Sequence, residues 1–591
     1  MERAGMENVV EMNDAKVSVR HQIVIPMSGF GERFRRAGYD VPKPLIEVDG
    51  RPIIEHVVRL FPGETDFVFV CNEDHLADPG FDMRGTLERI CPSGRILGIP
   101  AHKEGPVWAV AQAASMLDPD RPVMVNYCDF SCLWDWEDFK SFVVETNCDG
   151  AIPAYRGFHP HSLGSTFYAY LRQRDGWADG IREKRPWTDD PSSEYASSGA
   201  YWFRSASLML DAFRRLEESG ENVGGERYVS LAYLPLFKDG ARVAVYEIPR
   251  FMQWGTPEDL DEYVGWSEHF RRRMLPRERA AIPGAVVIPA AGLGERFSKE
   301  GFSVPKAVLP VDGTPMIGRA TRDLPMADVL ISAMRKEMPG RDLAEAALRS
   351  SGFPSVRILG LDGPTDGQAR TIALALAAAG DFVDLDAPLV IGACDNGADY
   401  DGKALVSALN SGADVLVWCV RGHAAARRKP ESYGWVDADA SGRVLGVSVK
   451  RPLSNPARDP VIIGAFAFRR ASDFLRCFER LVADDVRING ELYADSCVGI
   501  AASLGLDARV FEVDFFPCWG TPSEYATYHY WRSAFSAWSS HPYDAASDHF
   551  SEGAAGRDAF SGTCAIEFRS PRPGLGFPSR PHSSPRPEGA S

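Results

Sequence analysis

Short apolar runs rich in β-branched residues alternate along this chain with segments whose apolar residues recur every three or four positions. The first kind reads as buried strand, the second as a helix packed by one face. QIVIPM (22–27), DFVFVCN (66–72) and PVMVNYCD (122–129) are of the first kind, and WAVAQAASML (108–117) is of the second. The same order returns later as AVVIPA (285–290), DVLISA (328–333), the helical TIALALAAA (371–379) and APLVIGACD (387–395). Strands alternating with helices predict an α/β fold with mixed, mainly parallel sheets covered on both faces. Ligands in such sheets bind beyond the carboxyl ends of the strands. The candidate functional residues are therefore those just past the apolar runs.

The first run of each set leads into nearly the same loop. Residues 23–54 read IVIPMSGFGERFRRAGYDVPKPLIEVDGRPII, residues 286–317 read VVIPAAGLGERFSKEGFSVPKAVLPVDGTPMI, and 17 of the 32 positions are identical. The correspondence continues downstream at near-constant spacing. Arg33 pairs with Arg296 and Lys43 with Lys306, 263 apart; Asp129 pairs with Asp395, 266 apart; Gly199 pairs with Gly464 and Gly255 with Gly520, 265 apart. Solenoid repeats are ~20–50 residues long, so this period means tandem whole domains. It divides the chain into a loose lead (1–20), a first domain (21–272), a basic linker broken by Pro276 and Pro283 (273–283), a second domain (284–538) and a tail (539–591). The tail is dominated by Ser, Pro, Gly and Arg, and disorder is expected there.

The repeated residues suit phosphate. Gly29, Gly31, Gly292 and Gly294 let a backbone approach an anion closely, with successive N–H groups turned toward it. Arg33 and Arg296 add a planar, permanently charged fork. Lys43 and Lys306 come after a proline that holds the chain extended, and deliver a point charge. A tight strand-to-helix turn with solvated cations would explain one copy. Repetition at a fixed offset favours a site. Asp129 and Asp395 end a strand, where a carboxylate either caps the next helix or holds a cation.

Composition narrows the classes. The formal charge of −16 opposes binding to a nucleic-acid backbone, which calls for a basic face. The 11 cysteines form no CxxC and no metal-type spacing, so reduced thiols of a cytoplasmic protein are expected, with Cys128 and Cys394 as buried strand residues. Residues 1–20 lack the apolar stretch of a signal peptide, and no apolar run is long enough for membrane insertion. Nothing in the sequence encodes an oligomeric state.

GxGxRF followed by PKP and then VDGxPII resembles the sugar-phosphate nucleotidyltransferase superfamily, in both halves of the chain. MSGFGERFRRAGYDVPKPLIEVDG, GFHPHSLGST (157–166) and EYASSGAYWF (194–203) are most similar to the capsule-associated branch, which includes cytidylyltransferases for phosphocholine and phosphoglutamine. The resemblance implies two tandem Rossmann-like nucleotidyltransferase domains. It implies transfer of NMP from an NTP to a phosphorylated small molecule, with Mg²⁺ as cofactor, for nucleotide-sugar or surface-polysaccharide synthesis. Arg33, Lys43, Arg296 and Lys306 would act on the triphosphate. Gly105 and Gly367 would pack on the nucleobase, and Asp129 and Asp395 would hold the metal. Glu183, Lys184, Gly199, Lys450 and Gly464 would face the acceptor.

Departures from that pattern stand out. Where the superfamily carries a second metal-binding aspartate this chain has Gln253 and Cys518, and Val449 stands where the first domain has Glu183. A second domain with a different acceptor, or decayed to a sensor, is therefore an alternative. A glycosyltransferase of related fold is another, but the strand-end motifs CDF and CDN lack its Asp-x-Asp. Trp134, Trp136, Trp187, Tyr195, Tyr201 and Trp254 form either a core or a cage for a quaternary ammonium. His159 and His161 are either acceptor contacts or loop residues without a role.

Overall fold

The structure, a computed structural model, describes residues 20–164 and 167–548. Contacts group them into two compact units, one of 20–157 and 167–256, the other of 158–164 and 257–548. The lead up to residue 19 and the tail from 549 lie outside the described residues.

The sheet of the first unit contains β1 (Gln22–Met27), β2 (Phe67–Asn72), β3 (Arg95–Ile99), β4 (Val123–Asn126), β5 (Gly150–Tyr155), β6 (Ala169–Arg174), β7 (Trp177–Glu183), β8 (Tyr195–Ser197), β9 (Ala200–Phe203) and β10 (Val243–Glu247). Their order is β8-β6-β7-β10-β5-β9-β4-β1-β2-β3. Around β1 the pairings are parallel, with β2 and with β4, and β3 continues beside β2. β9 then runs antiparallel to both β4 and β5, and the β6–β7 hairpin is antiparallel. The expected mainly parallel sheet is thus parallel on one side and mixed on the other. Two-residue hairpin geometry needs no crossover helix, so β6 and β7 pair with each other directly.

The second unit has β11 (Ala285–Ala290), β12 (Val329–Arg335), β13 (Ser355–Leu361), β14 (Leu389–Ile391), β15 (Val415–Val420), β16 (Gly434–Ala438), β17 (Val444–Val449), β18 (Val461–Phe468) and β19 (Ala508–Glu512). Its path is β13-β12-β11-β14-β18-β15-β19, with β16 joined to β17 and β18. Position for position this matches β3-β2-β1-β4-β9-β5-β10, with the same parallel and antiparallel senses.

The buried strands read as the periodicity predicts: every residue of β2, β4, β5 and β15 is buried. Helix Ala206–Ser219 starts where the Ser205 side chain accepts from Leu208 N and stops at Gly220 with φ +70°. It turns Met209, Ala212, Phe213 and Leu216 into the core, a helical stripe. The predicted helix over 108–117 is shorter, ending at Ala111, because Ala113 N bonds to Val110 O and the chain tightens into a 3₁₀ turn.

Two sequence boundaries behave differently from a linker and a tail. Arg273 is buried, and the Arg279 guanidinium donates to the carbonyls of Thr321, Leu324 and Ser351. Disorder does not begin at 539: His541, Tyr543 and Asp548 are buried, and the Asp548 carboxylate lies 2.5 Å from Arg273 Nη2. A buried ion pair, joined through Arg273 to Asp312, holds this stretch where composition alone gives no reason for order.

Candidate active site

In the first unit the chain leaves β1 at Met27 and turns through Ser28–Gly31 into the short helix Glu32–Arg36. Gly31 has φ +61°, a conformation that only glycine adopts freely. Nothing lies within 4 Å of a Cβ built at Gly29 or Gly31, so this backbone faces open space. Arg33 is exposed, with its guanidinium 5.3 Å from the Phe167 ring centre. Lys43 opens a 3₁₀ turn after Pro42, and its Nζ donates to Asp129 Oδ2 at 2.8 Å. Burial works to lower the Lys43 pKa, yet the attraction of Asp129, through its charge and its hydrogen bond, opposes this and the pKa is raised. Lys43 therefore stays a cation.

Asp129 does not stand alone. Trp254 N donates to its carbonyl, which lays the strand Arg250–Gln253 beside Phe130–Leu133. A Cβ at Gly255 would lie 2.7 Å from Gln253 Nε2 and 3.2 Å from Asp129 Oδ2, so the amide and the carboxylate converge over that glycine. Gly199, with φ +95°, packs under the Tyr127 and Phe130 rings. Glu183 accepts from Ser230 Oγ at 2.5 Å, and burial raises its pKa. Lys184 donates to Tyr228 Oη at 2.5 Å, and that hydroxyl donates to Glu226.

The second unit repeats this arrangement. Gly294 has φ +67°, and the space above Gly292 is open. Lys306 Nζ donates to Asp395 Oδ2 at 2.6 Å, and against the cost of burial its pKa is raised by that carboxylate. Trp519 N donates to the Asp395 carbonyl. The Cβ position over Gly520 meets Asp395 Oδ2 at 2.9 Å and Cys518 Sγ at 3.4 Å. A cavity of about 680 Å³ is lined by Gly292, Gly294, Arg296, Lys306, Gly367 and Asp395. Lys450, Gly464 and Cys518 complete its wall. Every site residue expected in the second half thus lines one cavity.

Residues 23–186 match the MobA-like NTP transferase domain. That stretch carries Gly29, Gly31, Arg33, Lys43, Gly105, Asp129, Glu183 and Lys184. Solved structures similar to this chain include a nucleoside-diphosphate-sugar pyrophosphorylase from Vibrio cholerae RC9, at 20% identity, covering 41% of this chain and 98% of that one with a TM-score of 0.34. Another is the inositol-1-phosphate CTP transferase from T. maritima, at 14% identity over 44% and 98% with a TM-score of 0.34. A third is the UDP-glucose pyrophosphorylase from Acinetobacter baumanii, at 18% identity over 43% and 98% with a TM-score of 0.33. Among curated proteins, none matches.

The transferase-domain match directs attention to the metal. Among the described residues no group of three or more His, Cys, Asp or Glu side chains could hold an ion. The strand-end carboxylate stands beside an amide in the first site and beside a thiol in the second, where Glu491 and Glu524 also line the cavity. One carboxylate suits Mg²⁺ when phosphate oxygens and waters fill the other positions. Cys518 is a poor ligand for so hard an ion. Burial, then the neighbouring Glu524, raises its pKa and keeps it a thiol.

Gly105 and Gly367 each lie against a crossing backbone. A Cβ at Gly105 would stand 2.6 Å from Arg227 N and 2.7 Å from Arg227 O, and one at Gly367 would meet the Leu492 backbone as closely. Both glycines admit a crossing chain. The crossing segments carry GERY (225–228) and GELY (490–493), a further repeat 265 apart that marks Tyr228 and Tyr493, outside the glycine-loop motifs. Ser28 and His102, joined at 2.9 Å, gave no sequence signal because 74 positions separate them.

Four of the six aromatic residues are core. Trp136, Tyr195, Tyr201 and Trp254 are buried, Trp134 Nε1 donates to Leu60 O, and Trp187 lies against the Arg182 guanidinium. His159 and His161 are buried in the second unit, with the His159 ring 5.1 Å from that of Tyr530. Burial pushes the Cys128 thiol up to about 12 and the Cys394 thiol to about 11, which leaves both unreactive. No helix of the described residues is long and apolar enough to cross a membrane.

Proposed function

We propose that this protein is a duplicated nucleotidyltransferase that transfers NMP from an NTP to a phosphorylated small molecule and releases pyrophosphate. The observation that carries this reading is the lysine–aspartate pair, at 2.8 Å and 2.6 Å, set beside an open glycine loop at the end of the first strand of each sheet. An acceptor phosphate oxygen attacks the α-phosphorus, the new P–O bond forms, and the bond to the β-phosphate bridging oxygen breaks with pyrophosphate leaving in line. Such chemistry asks the protein for position and charge. The N–H groups of Gly29 and Gly31 face the triphosphate, Arg33 and Lys43 balance its charge, and Arg296 and Lys306 do the same in the second site. Asp129 and Asp395 would hold Mg²⁺, which supplies further neutralisation of the triphosphate when bound. Gly105 and Gly367 wall the base. Glu183, Lys184 and Gly199, and in the second site Lys450 and Gly464, face the acceptor. We assign the protein to the cytoplasm, in nucleotide-sugar or surface-polysaccharide synthesis, where a sugar phosphate or phospho-head group such as phosphocholine is the acceptor.

The test is pyrophosphate release with Mg²⁺, crossing the four NTPs and dTTP with hexose 1-phosphates, phosphocholine and phosphoglutamine. Lys43→Ala and Lys306→Ala should each remove release from one site while leaving circular dichroism unchanged. Full activity of both variants on every productive pair would refute the assigned roles.

A further inference from the structure

The second unit holds another cavity, of about 540 Å³, whose lining lies wholly within that unit. Its walls come from the end of β15, the helix Ala424–Arg428, the helix Pro257–Arg272 and the first turns of the helix Pro522–Ala537. Arg296, Ser432, Tyr433, Cys518, Thr521 and Glu524 line both this cavity and the one of about 680 Å³, so the two adjoin along these six residues. The boundary is on the acceptor side. Lys450 Nζ donates to the Ser432 carbonyl, whereas Gly367, on the base side, lines the larger cavity alone. Pockets that take a small ligand run to ~300–1,000 Å³, and each cavity by itself is of that size. The larger one suits a nucleotide with a small acceptor. The smaller one asks for more ligand.

Its charged groups say what kind. Three carboxylates in its wall already have cations: Asp261 lies 3.7 Å from Arg427, Glu262 2.9 Å from Arg428 and Asp514 3.0 Å from Arg272. Glu524 instead accepts from two hydroxyls, Tyr433 Oη on Oε1 and Thr521 Oγ1 on Oε2 at 2.8 Å. A carboxylate has about four acceptor positions, so these donors leave room for a ligand. Burial works to raise the Glu524 pKa, but His423 and the two hydroxyls together outweigh it and hold it down at about 2, which keeps an anion there. His423 Nε2 lies 3.9 Å from Glu524 Oε1 and is buried without a hydrogen-bond partner. The two side chains stay 13% and 11% exposed, so both are within reach from the cavity they line. One hydroxyl oxygen can stand about 2.8–3.0 Å from both atoms, donating to the carboxylate and accepting from the imidazole N–H. An ammonium has no acceptor and would serve the carboxylate alone.

We propose that the smaller cavity holds the far end of the second site's acceptor, a sugar phosphate longer than one hexose, whose phosphate lies by Arg296 and Lys450 and whose distal hydroxyls are read by Glu524 and His423. The proposal rests on the reading of the second unit as a transferase site and adds the length and donor chemistry of its acceptor. The first copy lacks these features in its sequence. Arg156–Gly157 and Arg421–Gly422 stand 265 apart, and in that register Phe158 takes the place of His423 and Gln253 that of Cys518. Phenylalanine offers no hydrogen bond, and the shorter cysteine widens the passage between the cavities.

The experiment uses the full chain carrying Lys43→Ala, so that pyrophosphate release belongs to the second site. Hexose 1-phosphates are compared with disaccharide 1-phosphates that carry the same phosphorylated sugar. The longer acceptors should have a kcat/KM about tenfold higher. Glu524→Gln and His423→Phe should each bring that ratio down to about one, mainly through the KM of the longer acceptor, as loss of a hydrogen bond to bound ligand does. Because Glu524 also sits in the first turn of a helix, thermal melting accompanies both variants; if Glu524→Gln melts early, His423→Phe alone decides. Release that is no better with disaccharide than with hexose phosphates, or that occurs only with phosphocholine or phosphoglutamine, overturns the proposal and leaves the transferase reading intact. A preference for the longer acceptors that survives the folded variants overturns the assignment of Glu524 and His423. Absence of any release from the Lys43→Ala chain removes the transferase reading of the second unit, and this proposal with it.

Discussion

Lys43 and Lys306 each hold a partly buried charge against one aspartate, and the sign of the pKa shift depends on which force is larger. For Asp495 the balance falls the other way. Burial outweighs the attraction of Lys450 and pushes the carboxyl from 3.8 to about 6. Between those values the folded state holds a proton that the unfolded chain has released, so stability falls as pH rises through the window and levels off above it. Asp495→Asn should flatten that slope in urea unfolding measured between pH 4 and pH 7, in comparison with the unaltered chain. An unchanged slope would mean that the carboxyl is already ionised in the folded state.

At the level of elements, the glycine turns divide into two kinds with separate costs. Gly31 needs only its left-handed conformation, for the space around it is open. Gly31→Ala should cost about 1–2 kcal/mol of stability, the penalty of that conformation for an L-residue. Gly105→Ala and Gly367→Ala add a collision with a crossing backbone that cannot step aside. They should lower the melting temperature more than Gly31→Ala does, and calorimetry should find NTP binding weakened at the affected site. An equal loss of stability in all three variants would deny the role of the crossing segment.

Across the whole molecule, the second unit is closed by residues that precede its first strand. His269 Nδ1 lies 2.7 Å from Asp399 Oδ2, Arg428 Nη1 2.9 Å from Glu262 Oε2, and Arg273 Nη2 2.8 Å from Asp312 Oδ2. Asp312 also meets Arg319 and Arg532 and accepts from Tyr528. Removing one partner of such a network strands the others in an apolar setting, at about 3–5 kcal/mol. Asp312→Ala should lower the unfolding free energy of the full chain by that order, read from denaturant titration. A fragment beginning at 257 should fold better than one beginning at 284, as judged by soluble yield and cooperative melting; equal behaviour would show that helix Pro257–Arg272 is dispensable.

The sequence by itself determined most of the elements and the two repeated glycine loops. Strand runs such as 23–27 and 285–290 are apolar throughout because both faces of a central strand are buried. The GxGxR and PKx loops are legible because local backbone needs recur twice at one spacing. What only the tertiary structure decided is which distant residues share a wall. Ser230 and Glu183 lie 47 positions apart, and Ser28 and His102 74 apart, yet each pair is joined by a hydrogen bond. Periodicity reports which side of an element is buried. It carries no information on what that side meets, and it is there that the two copies came to differ.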